Sequence, residues 1–182
     1  KDRKRRSAQT AMYIILNALV KILAPLTSYT AEEIWDFMPH LDSENVESVM
    51  LTTYPELVPE YDNIEIREKW AKIVKIKEEV AKEIEKARVE KIVRHWLNAK
   101  ITIFIENPLY GFIKENQELL KTVFIVSDLE VEEKQGNKEL EIKVVQADGE
   151  KCERCWMYST TVGEDKENPT ICHRCSEVMK NM

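Results

Sequence analysis

Cys152-Glu-Arg-Cys155-Trp156 and Cys172-His-Arg-Cys175 contain all four cysteines of this 182-residue chain, and sixteen residues separate the two pairs. A tight turn lets two sulfurs two residues apart face one point. Two such knuckles at this separation match a four-thiolate zinc site, in which Zn2+ takes four sulfurs tetrahedrally at about 2.3 Å. A module of about thirty residues buries too little apolar surface to fold unaided, and a metal supplies the missing staple. Two disulfides would suit a secreted chain, but no signal peptide is visible and residues 1–151 contain no cysteine. A redox dithiol uses one Cys-x-x-Cys and leaves the second pair unexplained. The ligand set is therefore Cys152, Cys155, Cys172 and Cys175, with His173 as a surface side chain rather than a fifth ligand.

Outward from this module, the net charge of −6 is unevenly spread. Residues 1–60 carry 6 basic and 9 acidic groups, 61–100 carry 11 and 8, 101–150 carry 5 and 11, and 151–182 carry 5 and 5. A polyanion would meet the basic amino end, the middle helix or the cysteine module and avoid the acidic segment. No apolar stretch is long enough for a membrane span and no targeting peptide is present, so a cytoplasmic chain without a membrane partner is expected. The first residue is Lys1 rather than Met, as in a fragment of something longer.

Lys1 to Arg6 places five basic residues in six positions, and Ser7 can cap the helix that follows. Met12, Ile15, Leu16, Leu19, Ile22 and Leu23 repeat at helical spacing as an amphipathic face, and Pro25 ends that helix. Thr30-Ala-Glu-Glu33 reads as a capping box with Tyr29 and Ile34 as its staple, opening a helix that runs to Pro39. Pro39, Pro55, Pro59 and Asp62-Asn63 make residues 39–63 a loop. Ile64 to Val93 has no Gly or Pro and predicts one helix of roughly 40 Å, buried through Ile66, Trp70, Ile73, Val80, Ile84 and Ala87.

The period then changes. Lys100 to Ile105 alternates as a strand, and Pro108 opens a helix through Leu120. Val123–Val131 and Glu139–Val145 read as two strands of a hairpin turned at Gln135-Gly-Asn137, and Asp148-Gly149 turns the chain into the cysteine module. The expected fold is mainly α with α+β. It comprises the end of a helical domain (1–63), a long connecting helix (64–98), a small α+β unit (99–150) and a zinc module (151–182).

No catalytic constellation is present. His40, His95 and His173 are scattered, and four widely spaced glycines exclude a glycine-rich phosphate loop. Trp156 has two readings, a side chain packed beneath the knuckle or a base-stacking platform flanked by Lys151, Arg154 and Arg174.

Arg5-Arg6-Ser7-Ala8-Gln9-Thr10, Leu23-Ala24-Pro25-Leu26, Thr30 to Trp35, and Ser48-Val49 with Tyr54-Pro55 resemble the anticodon-binding helical domain of class I aminoacyl-tRNA synthetases. Trp70, Glu85-Lys86-Ala87-Arg88 and Leu97-x-Ala99 follow in the order of the isoleucyl-tRNA synthetase family. Lys151 to Trp156 with Cys172 to Cys175 is similar to the carboxy-terminal zinc module of its bacterial form.

The resemblance spans the whole chain and implies a cytoplasmic, monomeric ligase that attaches isoleucine to tRNA(Ile). This portion would grip the anticodon arm through phosphate contacts such as Arg5, Arg6 and Arg174 and through the module's Lys151, Arg154 and Trp156. ATP and Mg2+ would belong to the parent enzyme only, because His-x-Gly-His and Lys-Met-Ser-Lys-Ser are missing here. The fragment is expected to be inactive alone. Two departures stand out: Val93-Arg94-His95-Trp96 lies where a glycine is expected, and Tyr54 replaces a tryptophan. A stand-alone zinc-ribbon interaction module and a structural tail without RNA contact are the competing classes.

Overall fold

Ala99–Ile105 (β1) organises the second half of the molecule, because five of its seven residues are buried. It lies in the middle of a three-stranded sheet of order β2-β1-β3. The computed structural model describes residues 3–44, 46–106, 108–134 and 140–181, which fall into two compact units, 1–62 and 63–182. Together they give the mainly α, α+β architecture that the periodicities predict.

In unit 1, α1 (Arg3–Leu23) stops before Pro25, and α2 (Ser28–Phe37) stops before Pro39. The core is Val20, Ala24, Ala31, Trp35, Met38 and Val49, with Tyr13 and Ile34 packed against it. The apolar stripe of α1, Met12, Ile15, Leu16, Leu19, Ile22 and Leu23, forms on the helix as expected but lies exposed, outside this core. The helix instead turns inward a half-polar face, Tyr13, Asn17, Val20, Lys21 and Ala24.

The reason is a polar clamp. Glu44, in a short 3-10 turn (Asp42–Glu44), accepts hydrogen bonds from Tyr13 Oη (3.1 Å), Asn17 Nδ2 (2.8 Å) and Lys21 Nζ (2.6 Å). The capping box is not formed either. The first backbone bond of α2 runs from Ala31 N–H to Thr27 O, so Thr30 lies inside the helix and Tyr29 is 94% exposed. The neighbouring Glu32, which has no part in the expected box, accepts from Ser48 Oγ (2.5 Å) and the Val49 amide (3.4 Å), pinning the loop.

In unit 2, α3 (Ile64–Val89) is capped by the Asn63 side chain, which accepts from the Ile66 amide. Its buried stripe is Ile73, Ile76, Val80, Ile84 and Ala87, whereas Ile66 and Trp70 are exposed. The helix ends four residues before the predicted Val93. Ile92 N–H bonds Ala87 O and Lys91 N–H bonds Arg88 O, a Schellman closure with Lys91 at φ +61°. The stripe packs with Ile101, Ile103, Ile113, Leu120, Phe124 and Leu129 in one core.

The predicted hairpin is absent. The chain leaves β1 through α4 (Leu109–Glu115) and α5 (Gln117–Phe124) and returns as β2 (Asp128–Glu133), parallel to β1 from Lys100↔Asp128 to Ile105↔Glu133. β3 (Glu141–Gln146) then pairs antiparallel on the other side of β1, from Ala99↔Gln146 to Phe104↔Glu141. A parallel return needs a helical crossover, which is why Val123 and Phe124 are helical rather than extended. The predicted turn at 135–137 lies outside the described residues.

Candidate metal centre and nucleic-acid surface

The cysteine module begins at a place only glycine can occupy. Gly149 has φ +85°, and a Cβ there would sit 2.3 Å from the carbonyl of Ser159. The turn joins β3 to a two-stranded ribbon, β4 (Glu150–Lys151) and β5 (Tyr158–Ser159), paired antiparallel. The first knuckle is the loop between these strands. Cys152 N–H donates to Met157 O (2.9 Å), and Trp156 N–H to Cys152 O (2.8 Å), with Trp156 itself left-handed at φ +65°. Ser127 ties the ribbon to the sheet: its hydroxyl accepts from Tyr158 N–H (2.6 Å) and donates to Leu97 O.

The second knuckle is the start of α6 (His173–Lys180), with Cys172 at its N-cap. Asp165 accepts from Ser176 Oγ and pairs with Lys180 Nζ (2.9 Å), fastening the intervening loop to this helix.

These two local structures bring the four sulfurs together. All four Sγ atoms lie within 4.8 Å of one another, and Cys155 and Cys172 Sγ are 3.8 Å apart. A tetrahedron with about 2.3 Å metal–sulfur bonds has edges of roughly 3.8 Å, so the set fits a zinc ion. It does not fit disulfides, which require sulfurs about 2.05 Å apart, and all four cysteines are free.

The thiols are unequal. Burial pushes Cys152 up, but bonds from the amides of Cys155, Cys172 and Arg154 outweigh it and bring the thiol down to about 6. Burial pushes Cys172 up to about 12 and raises Cys155 as well. A divalent cation supplies the charge that lets all four ionise together.

Trp156 stands outside this small core, which consists of Cys152, Ile171, Cys172 and Cys175 with Cys155 and Val162. The residue is 59% exposed, Nε1 donates to Glu153 O (3.1 Å), and Lys151 Nζ lies 4.8 Å from the ring centroid. One face of the indole is therefore covered by an ammonium, and the ring is held rather than loose. Arg154 is exposed. Arg174 is also exposed, but its Nη2 reaches back to Met157 Sδ (4.0 Å) in the first knuckle. The nearby sulfurs of Cys155 and Cys175 raise its basicity against the opposing effect of burial. His173 is exposed beside Glu177 (3.5 Å) and Glu164 (4.0 Å).

Arg5 and Arg6 lie exposed in the first turn of α1, in unit 1, whereas the other candidates lie in unit 2. Sequence reasoning missed Ser127, whose role depends on a partner 31 residues away and leaves no local pattern. It also missed the cleft of about 540 Å³ between sheet and ribbon, lined among others by Lys121, Ser127, Tyr158 and Arg174.

A helical unit, followed by a unit in which a long helix and a three-stranded sheet precede four gathered thiols, is more than an isolated metal ribbon. Residues 1–103 match the anticodon-binding domain of tRNA ligase, and residues 149–178 match the zinc finger found in FPG and IleRS. The chain belongs to the tRNA-ligase anticodon-binding family. It is similar to the isoleucine–tRNA ligase of Caldanaerobacter subterraneus subsp. tengcongensis at 45% identity, over 97% of this chain and 20% of that protein. It is also similar to those of Caldicellulosiruptor saccharolyticus (47%, covering 97% and 19%) and Geobacter sulfurreducens (40%, covering 97% and 20%). The chain thus spans about a fifth of the length of the curated relatives it matches. Among the described residues, no helix is long and apolar enough to cross a membrane.

Proposed function

We propose that this chain is the tRNA-binding portion of an isoleucine–tRNA ligase, holding the anticodon arm of tRNA(Ile) for a catalytic body that uses ATP and Mg2+. In this reading residues 1–63 end the anticodon-binding helical domain, 64–98 are the connecting segment that carries α3 (Ile64–Val89), 99–150 the α+β unit and 151–182 the zinc module. The observation that carries it is the match of residues 1–103 to an anticodon-binding domain. Cys152, Cys155, Cys172 and Cys175 hold one structural zinc. Arg5, Arg6, Lys151, Arg154 and Arg174 face phosphates, and the open face of Trp156 stacks on an unpaired base. The protein works as a cytoplasmic monomer, and this portion alone neither activates isoleucine nor charges tRNA.

The test is a panel of labelled tRNAs titrated against the wild-type chain and Trp156→Ala. Stacking predicts a loss of about 1–3 kcal/mol on the cognate tRNA. Zinc content and melting are measured in parallel, because the ring also bonds to Glu153 O within the knuckle. Unchanged tRNA affinity in a zinc-loaded, stable mutant rejects the contact.

A further inference from the structure

Val93-Arg94-His95-Trp96 stands in place of an expected glycine, and the fold pins it beside the cysteine module. Val93 is buried in the main core, and the amides of Arg94 and His95 donate to Oδ1 of the buried Asn98 (3.1 and 3.3 Å). The backbone is held, while the His95 side chain stays exposed. Its imidazole lies 6.4 Å from the Tyr158 ring, centroid to centroid, at an interplanar angle of 45°. That is within the range of an aromatic pair.

Tyr158 carries this contact on to the first knuckle. It pairs directly across the ribbon with Lys151, so the two side chains share one face with Cβ atoms about 5 Å apart. Lys151 Nζ in turn lies 4.8 Å from the Trp156 ring centroid. Glu150, the one carboxylate of the two ribbon strands, pairs with Ser159 and falls on the opposite face by the alternation of a strand. His95, Tyr158, Lys151 and Trp156 therefore form a continuous row of two rings, a cation and a ring.

We infer that this row is a binding surface for single-stranded RNA, with His95 and Tyr158 as a second stacking platform beyond Trp156. A single strand presents base, phosphate and base in succession, and the row offers partners in that order. One base lies on the open face of Trp156, the phosphate meets Lys151, and the next base lies against Tyr158 and His95. Aromatics carried on strands stack two or three unpaired bases in this way, and every base has a face to offer. A duplex keeps its bases stacked on one another and gains only the phosphate contact.

This inference rests on the tRNA reading above, and the experiment separates the two. Binding of the zinc-loaded full chain is measured by fluorescence anisotropy with labelled tRNA(Ile), a short unstructured single-stranded RNA and an RNA duplex of equal length. On the tRNA and the single strand, H95A and Y158L should each weaken binding about 5-fold or more, the low end of what one stacked base contributes. H95F keeps a ring and should retain most of the affinity, and the duplex should respond to none of the three. K151Q should lower the salt slope by about one. K166Q, in the exposed loop between the knuckles, should leave single-strand affinity near wild type. Wild-type single-strand affinity in H95A overturns the row, as does an H95F as weak as H95A. An equal loss in K151Q and K166Q also overturns it, since a general basic field would then suffice. Should Y158L lose zinc or stability, H95A decides alone, because its side chain is exposed. If W156A weakens tRNA binding and H95A does not, the row falls and the tRNA reading stands. A wild-type chain that binds no tRNA overturns both.

Discussion

Both units hold an irregular segment in place with a cluster of polar side chains, but the two clusters differ in what they need. Around Glu44, one carboxylate meets a phenol, an amide and an ammonium, and the cluster is complete from protein groups alone. It also sits beside a conventional core with Trp35 at its centre, whose indole N–H donates to Val46 O (3.0 Å). Around Cys152, four groups of one kind converge, and the apolar support is little more than Ile171 and Val162. A cluster of complementary charges stabilises itself, whereas a cluster of like thiols is stable only with a cation at its centre.

The largest expected effect breaks the cysteine module and spares the rest. Structural zinc in small peptides contributes on the order of 10–16 kcal/mol, far more than Ile171 and Val162 supply by burial. Chelation, or Cys152→Ser, should unfold residues 150–181 while α1, α2 and the β1-centred sheet persist. Hydrogen exchange resolves this by segment: loss of protection confined to the module is the expected result. Retained protection in a metal-free sample would show that the module's own core suffices.

The Glu44 clamp should fail in a smaller and pH-dependent way. The hydrogen bond from Lys21 is the main cause that holds the Glu44 carboxyl below its ordinary value of 4.5, and bonds from Tyr13 and Asn17 add to it against the opposing effect of burial. A carboxyl depressed by folding stabilises the protein fully above its ordinary value. That contribution is lost as pH falls from there through the depressed folded value. Hydrogen bonds to a charged group are worth roughly 1.5–3 kcal/mol, and Glu44→Gln should remove about that much near neutrality. The mutant's melting temperature should also fall less steeply than the wild type's below about pH 4.5. Parallel acid profiles for the two proteins would mean that Glu44 titrates no differently when folded.

Legibility in the sequence followed the range of the interactions. The four thiols were readable because knuckle spacing is local. The same is true of the Asp148-Gly149 turn and the ends of α1 and α2, where proline stops a helix within two residues. The inner face of α1 was not readable from its apolar period, because the clamp on Glu44 lies 23 to 31 residues away and selects the half-polar side. The pairing of β2 and β3 on opposite sides of β1 was hidden for the same reason. Alternation marks a strand but does not name its neighbour. In the candidate site, Trp156 and Arg174 were identified as residue types, while their postures came only from the fold: one ring roofed by Lys151, one guanidinium folded onto Met157.

The end of α3 sharpens the comparison from the other direction, because a backbone motif alone stops the helix there. Lys91 occupies the left-handed position of the Schellman closure at φ +61°, where a residue with a Cβ costs roughly 1–2 kcal/mol relative to glycine. No glycine marks the stop, and the predicted helix accordingly overran it to Val93. The closure persists because the chain on its far side is anchored: Val93 is buried in the main core, and Asn98 Oδ1 accepts from the amides of Arg94 and His95. Lys91→Gly removes the steric cost in the folded state and adds flexibility to the unfolded one, which offsets part of the gain. The expected net effect is a stabilisation of about 0.5–1 kcal/mol, read as a rise in melting temperature with zinc content unchanged. Lys91→Ala should have little effect, since alanine keeps the Cβ that glycine lacks. A glycine variant no more stable than the alanine variant would mean that the anchors beyond Val93, and not the φ of residue 91, set where α3 ends.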